Sequence, residues 1–184
     1  MSATYSVDPI AFSSGLLIGR LVLGLAIAAH GAQKLFGWFG GPGLDATGGM
    51  FDSLGFRPGR LFALTAGAAE VAGGLLVTLG LFGPVGPALM LSVVFVAALA
   101  VHWPQGFFAH NNGIELPLIY GVGAIVLALT GPGLWSLDAL LGLDALSQPR
   151  IELVALLVAL AGGIANVLAR RPAQPVAQAA PQRG

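Results

Sequence analysis

The sequence predicts an all-α fold: a polytopic bundle of membrane-spanning helices. Three observations carry this. Of 184 residues, 56% are hydrophobic and only 9% charged, and mean hydropathy is +0.86, which is no composition for a water-soluble domain. The apolar residues gather into five long runs divided by Gly- and Pro-rich connectors. The runs also lack the polar stripe that a helix of a soluble bundle turns to water.

The first run, 11–39, is long enough to span, with Lys34 and Trp38 placed to anchor one end. Gly24, Ala28 and Ala32 form a small-residue stripe along it. The Gly-rich, charged stretch that follows cannot span and reads as a loop with one short interfacial helix near 48–54. The second run, 61–82, carries Glu70 close to its middle, and Pro84 and Pro87 then mark a tight turn. The third, 88–103, is ended by Pro104. Its connector, PQGFFAHNNGIE, mixes aromatic and polar residues and is expected to fold back onto the membrane surface.

The fourth run, 116–131, is short for a span. A semi-apolar, interfacial segment with Trp135 and Asp138 follows. The fifth run, 151–169, closes on Arg170 and Arg171. At about 1.5 Å per residue it matches a hydrocarbon core roughly 30 Å thick. The tail, 170–184, is low in complexity and is expected to be disordered.

With five spans, Lys34, Arg57, Arg60, Arg170, Arg171 and Arg183 fall on one side, and only Arg20 and Arg150 on the other. The excess predicts a multi-pass protein of the cell inner (plasma) membrane with the N-terminus outside and the C-terminus cytoplasmic. No basic residue precedes the first run, which also outlasts a signal peptide, so no cleaved leader is expected.

Eight basic and eight acidic residues balance, so no basic field is offered to nucleic acid. The absence of Cys excludes a thiol relay, a thiolate iron–sulfur site and a cysteine nucleophile on this chain.

Chemistry must therefore come from ionisable side chains within or beside the apolar runs: Arg20, His30, Lys34, Glu70, His102 and Glu115. Charge in hydrocarbon is costly unless paired, and such residues commonly mark ligand or proton pathways. Arg20 and Glu70 lie at similar fractions of antiparallel runs. They read either as a structural ion pair or as the border of a polar cavity. His30 and Lys34, four residues apart, share a helical face. Lys34 also fits simple anchoring, and His30 a satisfied core histidine. His30, Glu70, His102, Asn112 and Glu115, with Lys34 beside them, are candidates to line one cytoplasm-facing vestibule for a small ligand. Trp103, Phe107 and Phe108 would form its apolar wall. The alternative is an interfacial loop whose polar groups satisfy one another. No zinc signature is present, and GWFGGPG lacks the ending of a phosphate loop, so neither metal nor nucleotide is expected.

HGAQKLFGWFGGPG, at 30–43, resembles the signature of the DoxX family of small integral membrane proteins. The resemblance continues through GLDATGGMFDSLGF, GAAEVAGGLLVTLGLF around Glu70, HWPQGFFAHNNGIELPL and GPGLWSLD, and covers roughly 13–140. It implies a four-helix membrane core. It also implies a link to electron transfer, since similar proteins include the small subunit of a thiosulfate:quinone oxidoreductase and part of a membrane complex of oxidative-stress defence. It carries over no set of catalytic residues. The run 151–169 departs from the pattern and is expected to add a fifth span. The expected organisation is an N-terminal segment (1–12), a DoxX-like bundle (13–140), a linker with an added helix (141–169) and the tail (170–184). The leading function is a membrane subunit of an oxidoreductase system that holds a quinone or a small apolar reductant, with a membrane or peripheral partner completing the redox step. The alternatives are passage of a small solute and a purely structural or assembly role.

Overall fold

The computed structural model describes residues 8–171. The expected disorder of the tail concerns residues that lie almost wholly outside that range.

Helix α1, Pro9–Phe36, starts where the Asp8 carboxylate accepts the Ile10 N–H at 3.0 Å and Pro9 supplies a pre-set first turn. It ends at Gly37 in the left-handed conformation, whose N–H bonds back to Gln33. Helix α2, Gly43–Ser53, is the short interfacial helix, begun five residues earlier than expected. Helix α3, Gly59–Leu79, closes on left-handed Gly80. Helix α4, Val85–Ala97, continues through a π-helical turn, Ala98–His102, and a 3-10 turn, Trp103–Gln105. Pro104 accounts for the widening: it has no N–H, and its ring clashes with the carbonyl four residues back. Helix α5 is Glu115–Thr130, α6 is Leu137–Leu141 and α7 is Pro149–Leu168.

The architecture is an all-α, multi-spanning bundle. Among the described residues, four helical stretches are long and apolar enough to cross a membrane: Pro9–Phe36, Gly59–Leu79, Val85–Gln105 and Pro149–Leu168. Helix α5, with 16 residues, reaches about 24 Å and is the short member.

α1 and α3 form the most extensive pairing. Glycines let their backbones approach closely. A Cβ on Gly31 would lie 2.6 Å from the Gly67 carbonyl oxygen, and one on Gly24 would lie 2.6 Å from that of Gly74. α4 packs on α3 across Gly73 and Gly86, and carries α5 and α7 on its other sides. Ile27, Val77, Met90, Leu91, Val94, Ala124 and Leu156 meet in the core between these helices.

Candidate functional site

The α1–α3 register decides which charges meet. With Gly24 opposite Gly74 and Gly31 opposite Gly67, the residue facing Glu70 lies near position 28, and Arg20 lies against Gly80. Lys34, six residues or about 9 Å along the helix from that level, reaches back to Glu70 with its long side chain. Its Nζ lies 2.5 Å from both carboxylate oxygens. The side chains are 24% and 7% exposed, so Glu70 is shielded and its charge is compensated almost wholly by this one partner.

The expected Arg20–Glu70 pair is therefore not formed. Similar fractional depth was a poor guide, because α1 is longer than α3 and the two do not share a midpoint. Ten residues of helix separate Gly80 from Glu70, about 15 Å. Arg20, 2% exposed, instead donates to the Trp135 carbonyl at the opposite end of the bundle. Gly80 is the residue that leaves room for its guanidinium. Beside it Asp138, 1% exposed, accepts the N–H groups of Phe82 at 2.8 Å and Gly83 at 2.6 Å. These contacts tie α1, the α3–α4 turn and α6 together.

The Lys34–Glu70 pair borders a cavity of about 330 Å³ enclosed by α2, α3, α4 and the end of α7. Phe51 and Leu54, then Phe56 and Phe62, cover it toward the α2 connector; Ala66, Ala69, Val93 and Val96 form aliphatic walls. The π-helical turn brings Ala100, Val101 and His102 to the rim, and such turns recur at functional sites. His102 Nδ1 lies 2.7 Å from the Asn112 carbonyl oxygen. A carbonyl only accepts, so Nδ1 carries a proton, and in the neutral ring Nε2 is left as an acceptor.

Lys34, Glu70 and His102 thus share one cavity, whereas the other vestibule candidates do other work. His30 is exposed, with Nδ1 3.2 Å from Gln33 Oε1 and its ring edge-on to Tyr120 at 6.0 Å. A separation of four residues turns a helix by about 40°. The long Lys34 side chain bridges that angle to α3, and the short imidazole does not. Asn112 gives His102 only its backbone carbonyl and itself takes the left-handed conformation, φ 62°. Glu115 accepts the Ala109 N–H at 2.8 Å and closes its own connector. Trp103, Phe107 and Phe108 are exposed rather than forming the wall. The rings of Phe51, Phe56 and Phe62 take that place. Phe62 lies on α3 eight residues before Glu70, so helical spacing could have linked the two, whereas the position of Phe51 and Phe56 depends on how α2 and the α2–α3 connector run. Among the described residues no three of His, Asp and Glu come together as metal ligands.

The DoxX family model matches residues 15–103. An uncharacterized membrane protein of Mycobacterium tuberculosis is 34% identical over 132 residues, spanning 65% of this chain and 76% of that protein. The chain belongs to the DoxX family. No solved structure matches it. The matched stretch contains Lys34, Glu70 and His102, so nearly the whole cavity lies within the DoxX region. Asn166 of α7, which also lines it, lies outside.

Proposed function

We propose that this DoxX protein is a membrane subunit of an oxidoreductase system and that its cavity receives the ring of a quinone or a comparable small apolar reductant. The observation that carries the reading is the Lys34–Glu70 ion pair facing a chamber walled mainly by aliphatic and phenyl groups, with His102 at its rim. Its volume of about 330 Å³ falls at the lower end of the roughly 300–1,000 Å³ usual for ligand sites and suits one substituted ring.

A bound quinone would supply two-electron, two-proton chemistry, with electrons exchanged with a partner subunit. This chain's residues would bind and orient it. The Lys34 ammonium would donate to a ring oxygen, and Glu70 would hold that ammonium in place. His102 Nε2 would accept a hydrogen bond from a ring hydroxyl. The three phenyl groups would exclude water and pack on the ring faces. The link to redox partners rests on the family resemblance, and the ligand on the fit of the cavity.

The test is thermal unfolding of the purified protein in detergent with a tailless dimethoxy-methyl-benzoquinone. A ligand at about 100 times its Kd stabilises by about 2.7 kcal/mol. Wild type should show a rise in Tm, and Glu70→Gln and Lys34→Met should lose it. A wild type unmoved by the quinone, or a Glu70→Gln variant that responds equally, overturns the reading.

A further inference from the structure

We propose that the ligand is a tailed amphiphile dissolved in the bilayer, and that it enters sideways through a slit between α3 and α7 with its tail left in the slit. This rests on the cavity reading above and adds the route and the chemical class: a single polar ring bearing a long alkyl or isoprenoid chain.

α3 and α7 flank α4 and scarcely touch each other. Thr65 of α3 and Asn166 of α7 both line the cavity, yet both are exposed. The chamber therefore opens between them, on the outer face of helices whose surroundings are lipid. The neighbouring outward residues, Leu64 and Ile164, are exposed and apolar, as a lipid-facing rim requires. At the α2 connector the covering segment is tied down by the end of α7. Arg170 donates through Nε to the Leu54 carbonyl at 2.8 Å and lies over the Phe56 ring at 5.4 Å, and the Arg171 N–H bonds the Gly55 carbonyl at 2.8 Å. These contacts hold the end of α7 onto the segment that covers the chamber. A polar solute thus meets a packed connector, whereas a lipid-dissolved molecule meets a gap. Within the chamber the Lys34–Glu70 pair offers one charged anchor beside the aliphatic Ala66, Ala69 and Val93.

Gly162 keeps the α7 side of the slit open. A Cβ built there meets nothing nearer than Ser92 Oγ at 4.0 Å, and Ser92 lines the cavity. Asn166, one turn on, bonds back to the Gly162 carbonyl at 2.8 Å, so both belong to one face. A large side chain at 162 has space to occupy and would fill the slit rather than break the packing.

The experiment uses two probes on the full chain in lipid nanodiscs. One is the tailless benzoquinone. The other is the same ring with a ten-carbon chain carrying a diazirine near its end. Photolysis of wild type should label peptides within α3 and α7 around Thr65 and Asn166, and the tailless quinone should compete the label away. Gly162→Phe should weaken capture of the tailed probe about tenfold or more, while tailless binding changes by less than about twofold. Gly162→Leu, a smaller filler at the same position outside the cavity lining, should act alike in lesser degree and stands in if the first variant fails to fold. Labels that fall on other helices, or tailed-probe capture unchanged in both variants while the tailless ring still binds, overturn the slit and leave the cavity reading intact. Failure of the tailless ring to bind wild type overturns both.

Discussion

Lys34 Nζ is held 2.5 Å from both oxygens of Glu70, so the last turn of α1 is locked to the middle of α3 at the wall of the cavity. The pair has one strongly shielded partner, Glu70, and one that is partly open, Lys34. Removing the lysine should therefore do more harm than its own exposure suggests, because it strands a carboxylate in a low-dielectric interior. Breaking one side of a buried pair typically costs about 3–5 kcal/mol, and replacing both sides far less. Lys34→Met and Glu70→Leu should each lower Tm in detergent, with the double variant well above the additive expectation. Arg20→Leu combined with Glu70→Leu should be additive, since the two sites share no contact. Coupling between Arg20 and Glu70 would contradict the register described here.

The opposite end of the bundle offers a control. Asp138 accepts two backbone N–H groups of the α3–α4 turn, where Phe82 takes φ 62°. Hydrogen bonds to a charged group are worth about 1.5–3 kcal/mol each. Asp138→Ala should thus destabilise by about 3 kcal/mol or more, read as a fall in Tm. At saturating quinone the remaining folded protein should bind as wild type does, because Asp138 is far from the cavity. A selective loss of binding without a loss of stability would show that the two ends communicate.

Close glycine contacts should separate from permissive ones. A Cβ on Gly31 runs into the Gly67 carbonyl and Val71, whereas one on Gly15 or Gly19 meets nothing within 4 Å. Gly31→Val should prise α1 from α3 and lower Tm strongly, with a cost in the range of about 1–3 kcal/mol for overpacking, or more. Gly15→Ala and Gly19→Ala should be neutral or slightly stabilising, as Ala is the better helix former. Equal effects at the three positions would argue against the glycine-mediated α1–α3 seam.

Much of the fold was legible because hydropathy reports where apolar helices lie. The five runs, the Pro84 turn and the stop at Pro104 all follow from local chemistry, and the helices appear within a few residues of the expected bounds. The residues of the site were legible as types and only partly as a set. Lys34, Glu70 and His102 stood out as polar groups in apolar surroundings, which is an energetic signal carried by each residue alone. Their grouping depends on helix register, and register was set by glycine-to-glycine packing that fractional depth does not capture. His30 and Arg20 were misplaced for that reason. Asp138, which organises the far end, and Phe51 and Phe56, which wall the cavity, depend on the paths of α2, α6 and their connectors, and hydropathy is nearly blind to those.

The last prediction concerns sidedness. Arg171 bonds Gly55 through the backbone, and Arg170 bonds Leu54. The end of α7 and the α2 connector therefore lie at one end of the bundle, the end that also holds Lys34, Arg57 and Arg60. We expect the 16-residue α5 to cross along with the four membrane-length helices, which gives five passes and puts the start of α1 and the end of α7 at opposite ends. The clustering of basic residues favours the Arg170 end as cytoplasmic, since cytoplasmic connectors carry the excess of Lys and Arg. Reporter fusions within 45–53 and after Gln182 should both read cytoplasmic, and a fusion ahead of α1 should read external. Opposite readings at the first two sites would mean that α5 or α7 does not cross, in conflict with the contacts between Arg171 and Gly55. Two external readings would keep the bundle and invert it, which would show that the charge excess of this chain does not set its orientation.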